Sequence, residues 1–217
     1  MIERRIEKLR KLMKQNNVDV YIVPSSDAHM SEYVSDYYKS REWISGFTGS
    51  AGTVVITNND AGLWTDGRYW IQAEKQLEKT SIKLYKTGLP NSISIVDWLR
   101  EKVDSTSVLG FDAKVFSASY ISQFQKDLAI QLNGELDLIG DLWLDRPELS
   151  KQPAFIHEAK YAGYSVSEKL RLVREHMKDK KVSNFLLGSL DDICWLYNIR
   201  AFDVINNPVL ISYALIT

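Results

Sequence analysis

The chain has 217 residues, 45% of them hydrophobic and 25% charged, and its 27 basic and 28 acidic residues leave a net charge of −1. That balance is ordinary for a folded domain and gives no electrostatic case for a nucleic acid or an anionic membrane as partner. Domains run to roughly 100–200 residues, so the length fits one large domain or one plus part of another. Cys194 is the only cysteine, which rules out an intrachain disulfide and favours a reducing, cytoplasmic setting. The start, Met1-Ile2-Glu3-Arg4-Arg5, lacks the apolar core of a secretory signal. The longest apolar run, Pro208 to Ile216, is interrupted by Ser212 and is too short to span a bilayer.

Ile2, Ile6, Leu9, Leu12 and Met13 recur at helical spacing opposite Arg and Lys, which predicts an amphipathic helix ending near Asn16-Asn17. Val18 to Val23 predicts a strand stopped by Pro24. Thr53 to Thr57 and Gly62 to Thr65 predict two strands joined by the turn residues Asn58-Asn59-Asp60. Asp66 is placed to cap a helix from Arg68 to about Glu78. Further strands are expected at 82–85 and 108–111 and, more weakly, at 135–139, with helices at 94–102 and 117–128. Strands alternating with helices, plus the adjacent pair at 53–65, predict an α/β fold with a mixed β-sheet flanked by helices.

Asp145-Arg146-Pro147 through Gln152-Pro153, with two prolines and several polar residues, reads as a linker. Past it the chain starts again. Glu168-Lys169-Leu170-Arg171 repeats Glu7-Lys8-Leu9-Arg10, Phe185-Leu186-Leu187 matches Tyr21-Ile22-Val23, and Trp195 to Ile199 matches Trp43 to Phe47. The expectation is a second, truncated copy of the same fold: helix, strand, helix and a strand from Val209 to Ile216. A strand left without partners exposes backbone and apolar surface, so a fragment of a longer protein is expected, with a tendency to pair or swap with a neighbour.

Gly46, Gly49 and Gly52 precede the strand at Thr53. They lack the Gly-Lys-Ser/Thr ending of a phosphate loop and the Gly-x-Ser-x-Gly spacing of a nucleophile elbow, so tight turns are the expected role. Arg68 follows an Asp-Gly turn at a helix start, where a cation opposes the helix dipole and calls for an acidic partner such as Asp66. Asp27 and His29 could form a titrating pair, although a lone histidine is more often a structural hydrogen-bonder. Asp191-Asp192 heads a helix and is expected to serve its dipole. Trp64, Trp70, Trp98 and Tyr69 are expected in the core or an interface, and Cys194 as an inert buried thiol.

Ser26-Asp27-Ala28-His29, Ser31-Glu32-Tyr33, Ile44 to Thr53 and Leu63-Trp64-Thr65-Asp66-Gly67-Arg68-Tyr69 resemble the first domain of three-domain aminopeptidase P, the Xaa-Pro aminopeptidases of the creatinase and prolidase superfamily. Trp143 to Pro147 is similar to that family's interdomain linker, and Leu190 to Arg200, Asp203 and Asn207-Pro208-Val209 to the start of its second domain. The resemblance implies a creatinase-type N-terminal domain at 1–145, a linker at 146–164 and the start of a second domain at 165–217. One departure is Ala201, where the family usually has glycine, a costly change wherever the backbone needs positive φ.

The same resemblance implies a parent enzyme that removes the residue preceding a proline. It would use two divalent metal ions, manganese by family habit, on a C-terminal pita-bread domain. His29, His157 and His176 are isolated from one another in sequence, so this chain is expected to hold no metal, no cofactor and no catalytic residue of its own. Its implied role is to help form a dimer or other homo-oligomer, to join its own catalytic domain and to narrow access to short proline-containing peptides, with Arg68 near the bound peptide. Two rivals are a peptide- or protein-binding module of a catalytically dead relative and a small independent enzyme using Asp27, His29 and Ser50.

Overall fold

The computed structural model describes residues 1–217. The chain divides into two compact units, one of Met1–Met30 and Tyr37–Pro147, the other of Ser31–Asp36 and Glu148–Thr217.

The first unit contains α1 (Ile2–Gln15), β1 (Val20–Pro24), α2 (Ser40–Ser45), β2 (Thr53–Thr57), β3 (Ala61–Thr65), α3 (Trp70–Leu77), β4 (Lys83–Lys86), α4 (Ile95–Arg100), β5 (Val108–Gly110), α5 (Ala118–Leu128), β6 (Gln131–Asn133) and α6 (Leu138–Leu142). Its six strands form one mixed sheet in the order β4-β3-β2-β1-β5-β6. The pairings of β1 with β2 and of β2 with β3 are antiparallel, and the other three are parallel. Alternation along β1 sends Tyr21 and Val23 to one face and Val20 and Ile22 to the other, and all four are buried. On the first face they meet Leu9 and Met13 of α1, Ile44 of α2, Leu77 of α3, and Leu138 and Ile139 of α6. On the second they meet Trp98 and Leu99 of α4, and Ile121 and Phe124 of α5. Each fully buried aliphatic side chain contributes about 1.5–3 kcal/mol, so this three-layer packing supplies the unit's main stabilisation.

Local capping sets the helix starts. The Ser94 and Ser117 hydroxyls accept from the backbone N–H of Asp97 and Tyr120 and open α4 and α5. The expectation of a strand at 135–139 is corrected: Asp137 accepts the N–H of Gly140 and opens α6 instead, and the strand lies earlier, at 131–133. Leu136, Leu138 and Ile139 read equally well with either period, and the cap decided between them.

The second unit contains β7 (Phe155–Ile156), α7 (Ala159–Ala162), α8 (Val166–Asp179), β8 (Phe185–Leu187), α9 (Leu190–Leu196), β9 (Ile199–Arg200) and β10 (Ala214–Ile216). β7 pairs with β9 and β8 with β10, both antiparallel. A strand was expected from Val209, but β10 begins only at Ala214. The N–H of Leu210 goes to Cys194 Sγ and that of Ile211 to Asp203 Oδ2, which takes both donors away from any ladder.

The internal repeat is real, and its helix register differs from the expected one. One constant offset carries α1 onto α8 and β1 onto β8, matching Arg5 to Lys169, Met13 to Met177, Asn17 to Lys181 and Tyr21 to Phe185. Asn17 (φ 53°) and Lys181 (φ 56°) are both left-handed. The N–H of Val18 returns to Met13 O and that of Val182 to Met177 O, each at 2.8 Å, the closure of a Schellman-type helix end. The Glu-Lys-Leu-Arg match had slipped the helix by almost one turn. The tryptophan match keeps its expected register: Gly46 (φ 74°) and Asn198 (φ 49°) both take left-handed backbone just past a helix. No helix of the chain is long and apolar enough to cross a membrane.

Candidate functional site

The glycine loop after α2 is built around a buried arginine. Arg41 is 5% exposed. Its Nη1 and Nη2 donate to the carbonyl oxygens of Phe47 and Gly49, and its Nε to Ser25 Oγ at 2.9 Å. Burial pushes this guanidinium down to about 10, which leaves it charged at neutral pH. The loop therefore directs carbonyls at an internal cation, the opposite polarity to an anion-binding nest. Gly46 ends α2 in the left-handed region. At Gly49 a Cβ would lie 2.3 Å from Phe47 Cζ and 2.8 Å from Tyr69 Cδ1, so only glycine lets the loop close over that ring pair. The structural reading of the glycines stands.

Hydrogen bonds pin the loop to the neighbouring turn and helix. Ser50 Oγ and Tyr69 OH are 2.6 Å apart, and Thr48 Oγ1 accepts from Gln72 Nε2 and Gln76 Nε2, each at 2.8 Å. Thr65 Oγ1 donates to Ala51 O at 2.6 Å, tying the loop to the end of β3.

Asp66 was expected to cap a helix starting at Arg68; α3 instead begins at Trp70. The Asp66 carboxylate folds back on Arg68, accepting its backbone N–H at 3.1 Å, its Nε at 2.9 Å and its Nη2 at 2.9 Å. These bonds hold the Asp66 carboxyl below the usual carboxylate range. The Arg68 guanidinium lies over the Tyr69 ring, 5.2 Å from its centroid, and its side chain is 64% exposed. A shallow cavity of about 440 Å³ beside the turn is lined by Gly52, Trp64, Thr65, Asp66, Ile95 and Tyr120.

The other candidates fall into structural places. Asp27 is buried and its Oδ1 accepts the backbone N–H of His29 at 2.9 Å. Trp64 stacks on Tyr85 at 4.3 Å and meets Trp98 edge-on at 5.2 Å, while its Nε1 donates to Ile93 O. Trp70 Nε1 donates to Thr65 O. Asp191 and Asp192 occupy the first turn of α9, which Ser189 caps. Cys194 is buried, and burial pushes its thiol up, away from reactivity. Ala201 is fully buried with φ outside the left-handed region, so no backbone strain follows from the missing glycine. No three His, Cys, Asp or Glu side chains gather where a metal ion could be held, so the donor set does not fit a metal centre.

Two cations were missed in the sequence. Arg5 Nη1 donates to Trp43 O and lies over the Trp43 ring at 4.2 Å. In the second unit the matching Lys169 donates to Trp195 O at 2.7 Å and to Asn198 Oδ1 at 2.6 Å, over the Trp195 ring at 4.3 Å. Burial lowers the Lys169 ammonium, and Arg200 adds to this. The signal for both was a basic residue on an apolar helix face together with the repeated tryptophan.

The creatinase/prolidase N-terminal domain matches residues 5–137 and, in a second form, residues 145–217. The chain belongs to the creatinase/prolidase N-terminal domain family. Within that family it is similar to a probable Xaa-Pro aminopeptidase P of Talaromyces stipitatus, 43% identical over 98% of this chain and 33% of the relative. Xaa-Pro aminopeptidase 1 of Dictyostelium discoideum is 39% identical over 99% of this chain and 36% of its own length. The crystal structure of X-prolyl aminopeptidase from Caenorhabditis elegans, described as a cytosolic enzyme with a di-nuclear active site, superimposes with a TM-score of 0.92. It is 36% identical and covers 100% of this chain and 37% of that one. The chain thus spans about a third of the length of the curated relatives it matches.

Proposed function

We propose that this chain is the non-catalytic N-terminal region of a cytoplasmic Xaa-Pro aminopeptidase, whose hydrolytic centre is carried by the remainder of the polypeptide. The observation that carries this reading is the continuous likeness, at 36% identity and a TM-score of 0.92, to one stretch of a di-nuclear aminopeptidase. The proposal includes a domain boundary near 145 and a homo-oligomer in which this region borders the entrance for short proline-containing peptides. The parent's metal requirement is assigned to two divalent ions, manganese first among them.

Arg68 is the residue proposed to meet the peptide. Asp66 holds its guanidinium on an exposed turn backed by the Tyr69 ring, which orients it without burying it. Two assays test the proposal. The 217-residue chain, given manganese and an Xaa-Pro peptide, is expected to show no turnover, and joined to the rest of its coding sequence it is expected to turn over only with a divalent ion. In the joined enzyme Arg68→Ala should raise KM about tenfold or more, with a smaller effect on kcat, as for a binding contact shared by ground and transition states. Turnover by this chain alone without metal would overturn the reading, and an unchanged KM would remove Arg68 from it.

A further inference from the structure

The cavity beside the Asp66-Arg68 turn lies wholly in the first unit, between the start of β2 and the end of β3 on one side and α4 and α5 on the other. Its volume of about 440 Å³ is that of a small-molecule site. Trp64 and Phe124 line it and are 4% and 2% exposed, with Ile95 and Val96 beside them. The Trp64 indole is held from three directions. Tyr85 stacks on it at 4.3 Å, Trp98 meets it edge-on at 5.2 Å, and its Nε1 donates to Ile93 O at 2.9 Å. Tyr120 reaches solvent, and its ring meets that of Phe124 edge-on at 5.1 Å. The backbone around the cavity is equally fixed. Thr65 Oγ1 donates to Ala51 O at 2.6 Å, and the N–H of Thr87 donates to Thr65 O at 2.9 Å. A Cβ on Gly52 would come within 3.1 Å of Trp64 O, so glycine is what lets that wall close. A site held this way needs little ordering to receive a ligand.

Two features select the ligand. The rings of Trp64, Tyr120 and Phe124 favour a flat aromatic group, which gains from offset and edge-to-face contact beyond its buried area. Asp66 is the one charged residue in the lining. A carboxylate offers about four acceptor positions. Arg68 takes three of them, through its backbone N–H, its Nε and its Nη2, which leaves one for a further donor. The Asp66 side chain is 40% exposed, so a donor arriving from water can reach it. A cationic donor is favoured twice, by the carboxylate and by the negative faces of the rings, whereas an anion meets repulsion from both.

We propose that this cavity binds a small aromatic primary amine, its ring against Trp64 and Phe124 and its ammonium on the Asp66 carboxylate. The inference goes beyond the peptidase reading and does not depend on it, because every lining residue belongs to the first unit. The test is a calorimetric titration of this chain with phenethylamine, 3-phenylpropionate and ethylamine. Phenethylamine is expected to bind saturably at one site, with a Kd in the millimolar range or tighter. The oppositely charged 3-phenylpropionate and the ringless ethylamine should each bind about tenfold more weakly or worse. Gln123→Trp fills the cavity from an exposed position of α5 and should abolish binding. Thr87→Trp does the same from the segment after β4, and serves if the first variant melts below the parent. Asp66→Asn keeps the shape and removes the charge. It should weaken phenethylamine about tenfold while benzyl alcohol, which has the ring without the charge, binds both forms alike. Absence of saturable phenethylamine binding overturns the proposal. So does binding that survives both tryptophan variants, which would put the amine elsewhere. Equal affinity for 3-phenylpropionate overturns it too, because Asp66 would then not be the anchor.

Discussion

Arg41 puts a full charge in the interior of the first unit, and three oxygens answer it. Removing one partner of such a set costs more than forming it gains, because the others stay buried and unpaired. Arg41→Met is expected to lower stability by on the order of 3 kcal/mol, read as a fall in the urea midpoint at unchanged slope. Asp112 gives a pH prediction. Burial raises its carboxyl and Asp137 adds to this, while the Lys114 N–H, the Lys114 charge and Arg146 oppose it. The folded pKa lies above the unfolded one, so ionised Asp112 is a penalty at neutral pH that is relieved as pH falls through the raised value. Asp112→Asn should therefore melt higher than the parent at pH 7, with the gap closing as the pH descends toward the ordinary carboxylate range. Melting curves across that window check it, and a gap that widens on acidification would show the sign to be wrong.

Among the elements, α8 is the clearest product of local sequence. Ser165 Oγ accepts the N–H of Glu168, and the Glu168 carboxylate accepts back from the Ser165 N–H at 2.8 Å, a complete capping box. Ser165→Ala should destabilise the second unit by about 1 kcal/mol, seen as a lower melting temperature for that unit's transition. α1 has no side-chain cap, and a large buried face holds it instead. The two helices were legible from periodicity, and so was the β2–β3 pair from its polar turn. The start of α3 was not. Asp66 could either cap a helix or chelate Arg68, and the choice depends on Tyr69 being drawn into the glycine loop by Ser50 and Phe47.

For the molecule as a whole, the two units differ in how much of their apolar surface is closed. In the first, Ile22 of β1 and Val55 of β2 are 1% and 0% exposed; the matching Leu186 and Leu215 of the second are 68% and 60% exposed. Stability is thus expected to be concentrated in the first unit. A chain cut to residues 1–147 should keep the mixed-sheet circular dichroism and a cooperative thermal transition close to the parent's main one. Loss of that transition would show that the first unit depends on residues 148–217 for folding.

Sequence alone determined the α/β class, the family and the existence of an internal repeat. Each is written in hydrophobic period, turn residues and motif wording, all of which are local. It also marked the glycine loop and Arg68, because glycines and an Asp-Gly-Arg turn are visible as residue types. Tertiary structure alone decided how those residues are held. The loop's carbonyls turn inward to Arg41, a residue whose charge made the surface its expected place. The register of the repeat likewise came from which helix face packs on the strand and which cation reaches Trp43 or Trp195. Such long-range contacts, whose partners lie tens of residues apart, leave no periodic trace in the chain.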